Sequence, residues 1–276
     1  MAAKAQRIQV TPPPFWAQGF TIFEVLGDIV VFAARALGQI PRSLRYTGEI
    51  WWYAAFLAIS STPVALVITY FSGSECSVEA YYSLHQLGGA ESLAGVFNAV
   101  CDLREITPLF YGFAVGAKVG CGLVAEIGSM RISDEISALE SVGVDSMRYV
   151  VGTRLMGALL AMPVIYIVGV LIGTGGSYVT VVLQIREVSM GGWSALHWGY
   201  QSAGDNLVGF LQAMAVGTAI VLVATFYGYR VRGGPVEVGA ATARSMIVNL
   251  VLIHLIILVV STAYWGGANA HLPIGG

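Results

Sequence analysis

The sequence predicts an all-α integral membrane protein: five transmembrane helices preceded by an N-terminal interfacial amphipathic helix. Three observations predict it. Of 276 residues, 56% are hydrophobic and only 11% charged, at a mean hydropathy of +0.73, where a soluble domain carries roughly a quarter charged residues. Stretches free of Asp, Glu, Lys and Arg recur at the length of about 20 residues that a bilayer crossing needs. The 34 glycines are scattered through these stretches with no G-X-Y period, which suits helices packed closely in lipid. A soluble enzyme, a nucleic-acid binder and a disulfide-stapled mini-protein are thereby excluded. The net charge of -2 gives no global attraction for a polyanion.

Taken in order, Met1 to Phe15 contains Thr11-Pro12-Pro13-Pro14 and no apolar h-region, so no cleavable signal is expected. From Gly19 to Ile40 a helix is expected. At about 100° per residue, Glu24, Asp28, Arg35 and Gln39 fall in one stripe while Phe23, Val30 and Leu37 lie mostly opposite. That pattern suits a helix lying in the membrane interface; packing on the rest of the bundle is the alternative. Four charge-free stretches follow: Ile50 to Ser74, Leu155 to Ile185, Asn206 to Tyr229 and Ser245 to Gly276. A fifth, Ile106 to Met130, is interrupted only by Lys118 and Glu126. Membrane helices are therefore expected near 50–73, 106–129, 149–174, 206–229 and 245–266, with residues 1–48 as a cytoplasmic N-terminus and interfacial helix and 49–276 as one membrane domain.

Five crossings put the chain ends on opposite sides, and basic residues mark the cytoplasmic one. With the N-terminus inside, Lys4, Arg7, Arg35, Arg42, Arg45, Arg131, Arg148, Arg154, Arg230, Arg232 and Arg244 are cytoplasmic, eleven of the 14 basic residues. Arg104 and Arg186 are outside. The segment 75–105 then reads as an acidic outer loop, with Glu75, Glu79, Glu91, Asp102 and Glu105 beside Arg104. Cys76 and Cys101 both fall in it, where a disulfide is an open alternative to free thiols; Cys121 sits at membrane depth.

No catalytic or metal motif is present. His85, His197, His254 and His271 are dispersed, without zinc-ligand spacing. Gly120-Cys-Gly122-Leu-Val-Ala125 imitates a dinucleotide fingerprint but follows no strand. The lysines are Lys4 and Lys118 alone, and neither belongs to a P-loop. No cofactor is expected to bind directly, so energy must come from a partner.

The second crossing carries the most information. Gly112, Gly116 and Gly120 leave one face nearly bare for close helix packing. Lys118 and Glu126 are charges at membrane depth, where a partner or cavity is required. Glu126, near the cytoplasmic end of its helix, is expected to pair with Arg154 at the start of the next. Between them, Ser129 to Asp145 reads as a short amphipathic helix, 131–143. Ile132, Ile136 and Leu139 form its apolar stripe and Gly143 its stop. The stripe has little of this protein's own cytoplasmic mass to cover it, which makes a partner surface a plausible expectation.

At these residues the sequence resembles the MlaE/YrbE permeases of Mce-type lipid-transport ABC systems. The likeness rests on Leu103-Arg-Glu-Ile-Thr-Pro108, Ala125-Glu-Ile-Gly128-Ser-Met-Arg131, Glu135, Ala138-Leu-Glu140, Val144-Asp145, Arg154 and Pro163. A second block comprises Phe226-Tyr-Gly228-Tyr229, Gly239 and Ala241-Thr-Ala-Arg244. The resemblance runs from about residue 85 to 255. It implies a non-catalytic permease subunit in the bacterial inner membrane that works with a second YrbE-type permease, identical or different. It implies a cytoplasmic ABC ATPase dimer, with ATP and magnesium bound there, that seats on the coupling helix through Arg131, Asp134, Glu135, Leu139, Glu140 and Asp145. MCE-domain proteins are implied outside, and a lipid cavity between the permeases. Trp52, Phe56 and Phe71, with Trp51, are candidate cavity residues, though an interfacial belt or packing explains aromatics equally well. Lys118 stands where the family often has arginine, keeping the charge and losing the planar fork. An ion-coupled secondary transporter, expected to show inverted repeats, and a structural membrane scaffold are the alternatives.

Overall fold

The computed structural model describes residues 15–86, 88 and 93–266. Lys4, Arg7, the Pro12–Pro14 run, Glu91, His271 and the glycine-rich C-terminal tail lie outside the described residues. Among those described there are helices and no strands: α1 (Phe15–Ser43), α2 (Thr47–Gln86), α3 (Ala94–Ile132), α4 (Glu135–Ser141), α5 (Met147–Ile185), α6 (Met190–Gly199), α7 (Ala203–Tyr229) and α8 (Pro235–Trp265). Five helical segments are long and apolar enough to cross a membrane.

The crossings outrun the charge-free stretches that predicted them. Helix α2 has 40 residues, about 60 Å at 1.5 Å per residue, against a hydrocarbon core of about 30 Å. Helix α3 likewise begins at Ala94 and runs through π-helical turns at Asn98–Ile106 and Gly116–Gly120. Most of the segment expected as an acidic outer loop is therefore helix. Its charges mislead because several are neutralised inside the protein. Asp102 is fully buried and accepts hydrogen bonds from Ser72 (3.2 Å), Thr107 (2.8 Å) and Asn98 (3.2 Å). Arg104 Nη2 lies 3.0 Å from Asp205 Oδ2, both buried. Trp265 donates to the other Asp205 oxygen at 2.8 Å, and the Arg104 guanidinium lies 5.5 Å over the Trp265 ring. That cluster fastens α3, α7 and α8 together at the ends remote from α4.

Cys76 and Cys101, on the extended ends of α2 and α3, are free thiols. The bridge left open by the sequence is not formed; the thiols sit on helices rather than in a loop, and Cys76 Sγ donates to the Phe97 carbonyl at 4.0 Å.

Helix α6 was not visible in the hydropathy. It caps the end of the bundle remote from α4, with Trp193 buried against Leu84, Ala94, Val181 and Val188. Ser189 caps its start by accepting from the Gly192 amide at 3.0 Å. His197 stacks on Trp193 at 4.6 Å, and burial pushes its imidazolium down to about 4, so the ring is neutral at physiological pH.

The N-terminal helix does what the alternative reading required. Ile29, Phe32 and Ala36 pack against Val151, Val223 and Phe226. Its polar stripe is divided: Asp28 pairs with Arg230 and Gln39 accepts from Arg148 at 3.1 Å, while Glu24 and Arg35 stay exposed. Phe23, Val30, Val31 and Leu37 remain exposed, an apolar face consistent with an interfacial position.

Small residues set the helix spacing. Along α2, Ala54, Thr69 and Gly73 closely approach Gly157, Gly169 and Gly173 of α5. The predicted stripe on α3 faces α7 and α8, but its three glycines differ. A Cβ on Gly112 would come 2.9 Å from Val216 and 3.0 Å from Ile253; one on Gly120 would come 3.0 Å from Ile220. On Gly116 the nearest atom is 3.8 Å away. Gly116→Ala is therefore expected to be neutral or slightly stabilising, by up to about 1 kcal/mol. Gly112→Ala is expected to destabilise by about 1 to 3 kcal/mol through overpacking. Melting midpoints of the two variants in detergent, compared with the parent, check the order.

Candidate functional site

Trp52 and Phe56 are one turn apart on α2, and their rings stack at 5.7 Å with 3° between planes. Both are at least half exposed. They form one wall of a groove of about 330 Å³ whose other wall is α3, with Lys118, Gly122 and Glu126. Four of the side chains singled out in the sequence, Trp52, Phe56, Lys118 and Glu126, thus line one space. Phe71 does not join them. It is 15 residues further along α2, about 22 Å at the helical rise, exposed and edge-on to Tyr70.

Glu126 and Tyr53, which line the groove, belong to an ionic cluster. Arg154 approaches Glu126 Oε1 with Nη2 at 2.9 Å and Nε at 3.2 Å. Tyr53 donates to Glu126 Oε2 at 3.3 Å, and its ring lies 5.5 Å beneath the Arg154 guanidinium. A further Arg154 bond to Thr153 Oγ1 at 3.1 Å fixes the fork. The structure brings together the two charges expected to pair. They are partly covered, at 14% and 36% exposure, so the pair fastens the end of α3 to the start of α5. Lys118 lies two turns up the groove in a π-helical turn, a distortion frequent at functional sites. It has no ion-pair partner among the described residues.

Helix α4 hangs between α3 and α5 and differs from the expected 131–143. It spans Glu135–Ser141, because Ser133 and Asp134 form a turn, Asp134 at φ 59°. Arg131 belongs to α3, with its guanidinium 5.6 Å over the Tyr229 ring. Gly143 ends the turn at φ 82°. The apolar stripe is covered by this protein itself: Ile136 is fully buried, and Ile132 and Leu139 pack against the main core. The sequence missed this because the covering atoms come from elements distant in the chain. Glu140 is tied in as well, accepting from Ser146 Oγ at 2.5 Å and from Tyr229 at 3.4 Å. Asp145 pairs with Arg148 at 2.9 Å and receives its amide. What faces outward is Asp134, Glu135, Ser137, Ala138 and Val142, the last 74% exposed.

The buried Arg104, Asp205 and Trp265 cluster escaped the sequence reading. Its one signal was Arg104 itself, a lone cation in an acidic segment.

An all-helical bundle with small-residue helix contacts, a charged groove at membrane depth and a short helix stapled between two crossings defines a polytopic membrane permease. Residues 50–263 match the family model described as Permease MlaE, and the chain belongs to that family. It is 28% identical over 229 residues to a probable ABC transporter permease protein of Rickettsia bellii, covering 83% of this chain and 87% of that one. Over 214 residues it is 29% identical to the intermembrane phospholipid transport system permease protein MlaE of Haemophilus influenzae, covering 76% and 81%. Over 240 residues it is 24% identical to the chloroplastic protein TRIGALACTOSYLDIACYLGLYCEROL 1 of Arabidopsis thaliana, covering 82% and 65%. It is a multi-pass inner-membrane protein of the permease type.

Proposed function

We propose that this chain is the transmembrane subunit of an Mce-type ABC transporter that moves lipid across the bacterial cell envelope. It carries no catalysis of its own, and ATP and magnesium bind in a cytoplasmic ATPase dimer seated against α4. The N-terminus is cytoplasmic and the C-terminus outside in this reading, which the grouping of eleven of the basic residues on one side supports. A second permease copy or paralogue covers the exposed apolar face of α2, where Trp51, Trp52 and Phe56 are at least half exposed. MCE-domain proteins meet the outer cap.

The observation that carries this reading is the Glu126–Arg154 pair. It joins the two helices that flank α4, and its Glu126 lines the Trp52 groove. A push on α4 therefore reaches the groove through a clamped hairpin rather than through two independent helices. The phospholipid-transport relative in Haemophilus influenzae points to lipid as the cargo. An apolar groove with one cation, Lys118, suits a phosphate-bearing amphiphile.

The test is co-purification of the tagged chain from its native membrane in mild detergent. Recovery of a nucleotide-binding ATPase and MCE-domain proteins is expected. Glu135→Arg with Ala138→Arg, both on the outward face of α4, is expected to release the ATPase while the permease still inserts and pairs. No ATPase with the parent chain, or full retention by the double variant, overturns the reading.

A further inference from the structure

On the arginine-rich side of the bundle a second cavity, of about 430 Å³, lies where α1 meets the α7–α8 connection. Arg230, Arg232 and Arg244 line it with Glu237, beside Phe226 and Tyr227. It shares no residue with the Trp52 groove. Three guanidinium groups around one space is a strong local departure in a chain only 11% charged.

The three arginines are not equivalent. Arg230 is held by Asp28 of α1 and lies 4.6 Å over the Phe226 ring, so it forms a fixed wall. Arg232 and Arg244 are exposed and have no ion-pair partner among the described residues. Their planar donors match a phosphate bidentately. Glu237 opposes a second full negative charge and leaves room for a headgroup cation.

What lies beside the arginines decides the source of that phosphate. On α8, Arg244, Ile247 and Val251 share one face at helical spacing, and Ile247 and Val251 are 64% and 63% exposed. Leu255 and Leu258 continue the apolar surface toward the outer end. A guanidinium at the membrane surface below a lipid-facing stripe reproduces the headgroup-then-chain order of a phospholipid. Basic pockets between membrane helices bind headgroups for this reason. We infer that the cavity binds the phosphodiester headgroup of a glycerophospholipid from the adjacent leaflet, its phosphate between Arg232 and Arg244 and an acyl chain along α8.

The inference does not depend on lipid transport, because occupancy is read without turnover. The full chain, with whatever assembles with it, is placed in nanodiscs of phosphatidylethanolamine and phosphatidylglycerol. These contain a trace of phosphatidylethanolamine carrying a headgroup diazirine. Labelling is expected to concentrate on peptides from Phe226 to Arg244. Arg232→Ala with Arg244→Ala is expected to lower it there at least tenfold, while Arg35→Ala with Arg42→Ala, equally exposed arginines on α1, leaves it unchanged. Should the double variant fail to fold, Arg244→Lys keeps the charge, loses the fork and is expected to lower labelling severalfold. Labelling spread evenly over the lipid-facing helices, or unchanged in either arginine variant, overturns the inference. Loss of labelling on adding inorganic phosphate assigns the cavity to a free anion and overturns it too.

Discussion

Replacing Glu126 by Gln is expected to destabilise the protein by about 3 kcal/mol and to uncouple α4 from the groove. Removing one partner of a fully buried ion pair costs about 3 to 5 kcal/mol, because the remaining charge is left uncompensated away from solvent. The low end applies, since Glu126 is 36% exposed. Arg154 would keep Thr153 and the Tyr53 ring but lose the carboxylate it grips at 2.9 Å. Tyr53→Phe is the internal comparison. It removes only a neutral-to-charged hydrogen bond of 3.3 Å and is expected to cost about 1.5 kcal/mol. The charge swap Glu126→Arg with Arg154→Glu is expected to recover part of the loss, though not the guanidinium stacking on Tyr53. Thermal melts in detergent read the stability; ATP-driven lipid transfer by the proposed complex, once reconstituted, reads the coupling. A swap no better than Glu126→Gln alone would show that the two charges act separately.

That pair could be read from sequence because it joins two charges in otherwise apolar runs. Charge at membrane depth is costly enough that a partner is nearly obligatory. The five crossings were legible for the same reason, since hydrophobic length is dictated by the bilayer and not by distant contacts. The third of the bundle remote from α4 was not. Asp102, Arg104 and Asp205 look like solvated loop residues in sequence. In the structure they are buried in partnered networks, and hydropathy cannot distinguish a charge in water from one satisfied by Ser72, Thr107 or Trp265. Helix α4 shows the converse error. Its periodicity predicts an apolar stripe correctly and says nothing about what covers it, and the cover proves to be the protein's own core around Ile136. Trp52 and Phe56 lie on α2 and Lys118 on α3, so their meeting in one groove is a consequence of the α2–α3 packing.

That packing depends in turn on how closely α2 can approach α5, and Gly73 is where the approach is nearest. A Cβ built there collides with the carbonyl oxygen of Gly173, and the neighbouring carbon and Cα are at 2.6 and 3.0 Å. The obstruction is backbone, so no side-chain rotation relieves it. The helices must separate, opening a contact that also buries Ala65, Thr69 and Ser77 on α2 and Ser177 on α5. Overpacking ordinarily costs about 1 to 3 kcal/mol; Gly73→Ala is expected at the top of that range, and Gly73→Val to abolish folded protein in the membrane. Gly175 lies two residues from Gly173 on the same helix with nothing within 4 Å of a built Cβ. Gly175→Ala should accordingly behave as the parent. The yield of monodisperse protein after detergent extraction, followed by a thermal melt, separates the two positions. Equal behaviour of Gly73→Ala and Gly175→Ala would mean that α2 and α5 can move apart without loss, and the groove residues would then owe their positions to α3 rather than to the α2–α5 pair.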